Sequence, residues 1–144
     1  MADVVSTGEA FGSTDAQREV WPVIAEVQAG TALLNDGRPG VAYTASGGVT
    51  ISQVIGNITI SGLPVGGVGL DALECSVATD GTFQFPVTGA SASTANGTAV
   101  FAVVAAGRVT GLTLTVGSNI PFGAVNNPQD YVAVGTSVCV KIGV

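Results

Sequence analysis

At 144 residues the chain fits a single domain that buries roughly 70% of its unfolded surface, so its core needs neither disulfide nor metal. Apolar residues make up 47% and charged residues only 10%, which excludes charge-driven disorder and leaves a surface built from Ser, Thr, Asn, Gln and Gly. Four cations (Arg18, Arg38, Arg108 and Lys141) against ten carboxylates exclude a basic groove for nucleic acid and an electrostatic hold on anionic lipid.

The first twenty-one residues read as an extended N-terminal arm. "MADVVSTGEA" is polar and acidic, without the cationic start and apolar run of an export signal, so synthesis in a cytoplasm is expected. "STDAQREVWP" has the signals of one short helical turn: Thr14 to cap it, Gln17 three residues on, and Pro22 to stop it. From residue 22 to 144 the signals are those of a single β domain. "VIAEVQAGTALLNDGRPGVAYTA" holds apolar runs parted by a turn at "NDGRPG".

"GVTISQVIGNITISGLP" alternates, with Val49 and Ile51 on one face and Ile58 and Ile60 after a break at Gly56-Asn57. Leu73, Cys75 and Val77 share one face of the next run, and Asp80-Gly81 turns the chain into Phe83 and Phe85, which point one way up to a stop at Pro86. "TGASASTANG" reads as a loop with too little apolar content to pack. "TAVFAVVAAGRVTGLTLTVG" gives two β-runs joined at "AAGR", with a bulge at Gly111. The closing strand sets Val138, Val140 and Ile142 against Cys139 and Lys141. Strands at this spacing indicate an all-β fold, a compact β-sandwich or small jelly-roll-like barrel.

Chemistry is scarce. Without histidine, Ser-His-Asp and Cys-His catalysis and the commonest metal ligand are excluded. Asp71 and Glu74 read as a solvated rim, and "GGVGLD" lacks the third glycine and following helix of a phosphate loop. Trp21, Tyr43 and Tyr131 are too scattered to announce a sugar platform. Cys75 and Cys139 lie in no CxxC pattern, so a disulfide stays open while two buried strand thiols are the expected state. No catalytic residue, cofactor or metal is expected.

"AGTALLNDGRPGVAYTA" (29–45), "VATDGTFQFPVTG" (77–89), "GTAVFAVVAAGRVTG" (97–111), "PFGAVNNP" and the closing "VCVKIGV" follow one another in an order that resembles the family of tailed-phage capsid cement, or decoration, proteins. The resemblance covers about residues 22–144. The arm and the long insert "SGGVTISQVIGNITISGLP" depart from it.

The resemblance implies a non-enzymatic protein on the outer surface of the virion's expanded capsid, stabilising contacts between capsomers. Its implied partners are the major capsid protein and further copies of itself, a homotrimer by analogy or else a dimer. Two stretches are candidate interface: Val20, Trp21 and Pro22 as an arm anchor, with Trp21 plugging the barrel as the alternative, and Thr88, Ser91, Ser93 and Asn96 in the loop. Competing readings are a carbohydrate-binding sandwich displayed on a virion and a tail structural component.

Overall fold

The computed structural model describes residues 8–9, 18–67, 69–131 and 134–143. No helix occurs among them. Twelve strands run in the order β1 (Gly8–Glu9), β2 (Arg18–Pro22), β3 (Ala32–Asn35), β4 (Arg38–Ala42), β5 (Thr50–Ile55), β6 (Ile58–Pro64), β7 (Glu74–Ala78), β8 (Gly81–Pro86), β9 (Ala99–Ala105), β10 (Arg108–Thr113), β11 (Ile120–Val125) and β12 (Ser137–Ile142).

They form a six-stranded sheet, β1-β8-β12-β11-β9-β10, a four-stranded sheet, β2-β7-β4-β3, and a separate two-stranded sheet, β5-β6, with every strand pair antiparallel. The two larger sheets curl and face one another around the main core, so the expected all-β fold, a compact sandwich or small barrel, is the fold observed.

Local sequence sets the turns. Asp36 and Gly37 take φ +51° and +78° between the paired residues Asn35 and Arg38, a two-residue turn whose twist matches its strands. Ala106 and Gly107 do the same between β9 and β10. Pro39-Gly40, read with the turn in the sequence, instead lies inside β4, because the tighter Asp36–Gly37 pair already reverses the chain. The bulge expected at Gly111 is present as a register shift between Val109 and Gly111.

The main core lies between the two larger sheets. Phe85, Val100, Leu112, Phe122, Val138 and Val140 come from the six-stranded sheet, and Ala32, Val41 and Ala78 meet them from the other. Phe85 and Phe122 meet edge to face, centroids 5.9 Å apart at 85°, an arrangement worth about 1 kcal/mol beyond area burial. The Phe83/Phe85 pairing and the inward row Val138, Val140, Ile142 are as the alternation requires. A second, smaller core lies on the far face of the four-stranded sheet: Trp21, Val27, Ala42, Cys75 and Val77.

The N-terminal region differs from the arm expected. Arg18–Pro22 is not a helical turn but strand β2, paired along its length with β7 from Arg18↔Ala78 to Pro22↔Glu74. Burial of Trp21 against Cys75 and Val77 outweighs the capping signal, so the sheet begins inside the segment read as arm. Gly8–Glu9 pairs with Phe83 and Gln84 of β8, covering what is otherwise an edge of the six-stranded sheet. The remainder of the expected helical turn, residues 13–17, lies outside the described residues.

Candidate interaction surface

Reactive groups do not converge. Among the described residues no three His, Cys, Asp or Glu side chains gather as a metal site. Cys75 and Cys139 are both buried free thiols, and burial pushes the Cys75 thiol up to about 11 and that of Cys139 upward as well, which keeps both protonated and unreactive. The Asp71 backbone N–H donates to Glu74 Oε1 at 3.0 Å, closing a surface turn rather than flanking a cleft.

An open groove of about 660 Å³ runs past Arg38, Pro39, Thr79, Asp80, Pro121 and Lys141, with no thiol or paired carboxylate along it. The aromatics do not meet in a sugar platform. Trp21 is buried, Tyr43 lies under the Arg18 guanidinium at 3.3 Å, and the Tyr131 hydroxyl donates to Ser137 O.

The two stretches singled out in the sequence are placed as follows. Trp21 is 3% exposed, so it is not available as an anchor for a partner; nor does it plug the barrel, since it packs with Val27, Ala42, Cys75 and Val77 on the far face of the four-stranded sheet. Its Nε1–H donates to Glu19 Oε2 at 2.8 Å, and the Arg38 guanidinium sits 5.6 Å over its ring while bridging Glu19 at 3.0 Å. These donors hold the Glu19 carboxyl below the usual carboxylate range. Gly40 makes room for the indole. A Cβ there would lie 2.7 Å from Trp21 Cη2 and Cζ3 and closer still to Val77 Cγ1. Val20, on the opposite face of β2, is 56% exposed, and Pro22 is exposed too.

Thr88, Ser91, Ser93 and Asn96 are all exposed, but their loop is ordered rather than loose. Thr88 donates its N–H to Leu112 O and accepts from Leu114 N–H, and Ala90 is buried in the main core. Ser91 N–H donates to Thr94 Oγ1, and the Ser91 and Ser93 hydroxyls are 2.9 Å apart. Asn96 and Asn127 bond reciprocally: Asn96 Nδ2 donates to Asn127 O at 3.1 Å, and Asn127 N–H donates to Asn96 Oδ1 at 2.9 Å. The expectation that this stretch cannot pack is corrected: Ala90 is buried in the main core, and the bonds of Thr88 and Asn96 tie the loop to the body on either side of it.

The feature that sequence reading missed is the β5–β6 hairpin. Its alternation was legible, but a half-buried place in the sheet would account for that equally well. Instead every residue from Thr50 to Gly62 is exposed, and the hairpin stands off the body. Gly56, at φ +61°, opens its two-residue turn where a left-handed residue is required.

Its root is held tightly. Buried Ser46 accepts the Val27 N–H on Oγ and donates its own N–H to Val27 O, Gly47 N–H donates to Glu74 O, and Gly67 N–H donates to Ala45 O. Gly47 and Gly66 lie so close to neighbouring backbone that neither admits a side chain. Gly66 and Gly67 of the rejected phosphate loop are therefore part of this root.

A signal was present in the sequence: no charged residue occurs between Arg38 and Asp71, although surface hairpins are usually guarded by charge. Comparisons of this chain with protein-family models, with curated proteins and with solved structures find no match.

Proposed function

We propose that this chain is a non-enzymatic head cement protein of a tailed phage, binding the outer surface of the expanded capsid and bracing contacts between capsomers, with the major capsid protein and other copies of itself as partners. The observation that carries the reading is the pairing of a stiff, chemically inert sandwich with a rooted, uncharged apolar hairpin. Such a molecule is equipped for contact and not for turnover. The ordered motifs over residues 22–144 supply the identity of the partner by resemblance. A stiff body loses little conformational entropy on docking, and binding only the mature lattice stabilises that lattice by mass action. The net charge of −6 keeps the protein away from packaged DNA.

The carbohydrate reading draws little support from the aromatics, since Trp21 is buried and one face of the half-exposed Tyr43 carries the Arg18 guanidinium. A tail component is the second reading, favoured by the unguarded β5 edge; it requires open filaments where a cement protein forms closed oligomers.

The test is co-sedimentation of purified protein with expanded heads lacking it, beside unexpanded proheads. Saturable binding to expanded heads alone, at a fixed ratio to the shell protein, is the expected outcome. Absence of binding to either shell overturns the proposal.

A further inference from the structure

The β5–β6 hairpin is amphipathic across its two faces. Ile51, Gln53 and Ile55, two apart in β5, share one face, where Ile55 pairs with Ile58 and Gln53 with Ile60, and a register shift between Ile51 and Gln53 keeps Leu63, three residues past Ile60, beside Ile51. Val65, whose N–H donates to Val49 O, continues that row towards the root. The other face carries Ser52 and the pairs Val54↔Thr59 and Thr50↔Pro64. The aliphatic face is open: Ile51, Ile55, Ile58 and Ile60 are 48%, 58%, 66% and 39% exposed.

Those four side chains expose roughly 400 Å² of aliphatic surface, as much as the largest patch on an ordinary monomer. A two-stranded sheet alone in water is also only marginally stable. We infer that this face is a self-association surface, covered by the same face of a second copy of this chain.

Three observations select that occupant. First, the face carries no charge, so bringing two copies of it together meets none of the local repulsion that a net charge of −6 would otherwise bring. Second, the area suffices. With Leu63, Val65 and Gln53 included, a face-to-face pair removes on the order of 1,200 Å² from water, the lower end of stable interfaces.

Third, Gln53 occupies the middle of the three cross-strand pairs, with an aliphatic pair on either side. Against a purely aliphatic cover its amide loses its hydrogen bonds. With two copies antiparallel about a twofold axis, Gln53 meets Gln53, and one amide donates to the other. In the same arrangement Ile51 faces Ile55 and Ile58 faces Leu63. A lone polar group in an apolar seam of this kind fixes register.

The inference deepens the self-association included in the cement reading but needs no shell, so the two fail separately: head binding tests one, and solution mass tests the other. The first measurement is sedimentation equilibrium of the full chain across a hundredfold concentration range, for wild type and for Ile58→Asp with Ile60→Asp. Wild type is expected to self-associate. The variant is expected to associate at least about a hundredfold more weakly, since two carboxylates would have to be desolvated in the seam. Trp21 emission, which reports on the second core rather than on the hairpin strands, must stay unchanged to show that the body is folded.

The second measurement uses a short bismaleimide on Gln53→Cys and on Thr59→Cys, both native thiols being buried. Cross-linked dimer is expected from the first and little from the second, which lies on the outer face. Monomeric wild type throughout, association unweakened in the folded double variant, or equal cross-linking at both positions each overturns the inference.

Discussion

Replacing Gly40 with alanine tests the packing of the second core directly. The new methyl group would be 2.7 Å from two ring carbons of Trp21 and in harder contact with Val77 Cγ1, where carbon atoms normally sit no closer than about 3.5 Å. The indole cannot slide away freely, because its Nε1–H is held by Glu19 and its face by Arg38. Overpacking of this kind costs about 1–3 kcal/mol.

Alanine also restricts the unfolded chain, which offsets about 0.4–1 kcal/mol, so the net loss is about 1–2 kcal/mol. For a chain of this length that lowers Tm by about 3–6 °C. Urea unfolding followed by the emission of Trp21, the sole tryptophan, and by far-UV circular dichroism measures it. In a Trp21→Phe background, followed by circular dichroism, the penalty should shrink in part, because the smaller ring removes the two indole contacts while that with Val77 Cγ1 remains. A Gly40→Ala variant as stable as wild type would refute the close approach of Trp21 to β4.

Both thiols should resist a disulfide reagent at pH 8 in the folded protein and react together on denaturation, since Cys75 titrates only near 11; prompt labelling of the native chain contradicts that burial. The Glu19 carboxyl titrates below its ordinary 4.5 when folded, so its stabilisation is complete above 4.5 and fades as pH falls through the folded value. Glu19→Gln should therefore remove a small, acid-sensitive share of the melting temperature, and identical pH profiles for variant and wild type exclude the effect.

Asn127→Ala strips the acceptor Oδ1 from the buried Cys139 N–H, 2.9 Å away, and should cost about 1–3 kcal/mol; a thermal melt within a degree of wild type argues against that bond.

Much of the β framework was legible because strands of a sandwich are read by their alternation, and here the alternation is strong in β8 and β12. What misled was local chemistry with two outcomes. Thr14 and Gln17 carry the sequence signals of a helix start, yet four residues after Gln17 a tryptophan finds Cys75 and Val77 across the sheet, and that long-range burial decides the conformation of β2. Pro39-Gly40 has the composition of a turn, but Gly40 serves there as the absence of a side chain under Trp21. The hairpin is the sharpest case. Periodicity reveals a strand with an apolar face, but not whether the body covers it. In Phe83 and Phe85 the body does; in Ile58 and Ile60 it does not.

The rooted hairpin also changes how the cement proposal works energetically. If two bodies are joined through their hairpins, every contact a body makes with a shell is presented twice on one particle. The second contact then forms at an effective concentration in the millimolar range, set by the stiff root rather than by a flexible tether, and the pair binds 10²–10⁴-fold more tightly than either body alone. A body with few charges, whose sole tryptophan is committed to its own core, is poorly furnished for a strong single contact. On the cement proposal, loss of the hairpin face would weaken attachment to heads by that factor through the lost pairing alone. A binding defect in the hairpin variants thus has to be judged beside their solution mass before the hairpin is assigned to the shell contact itself.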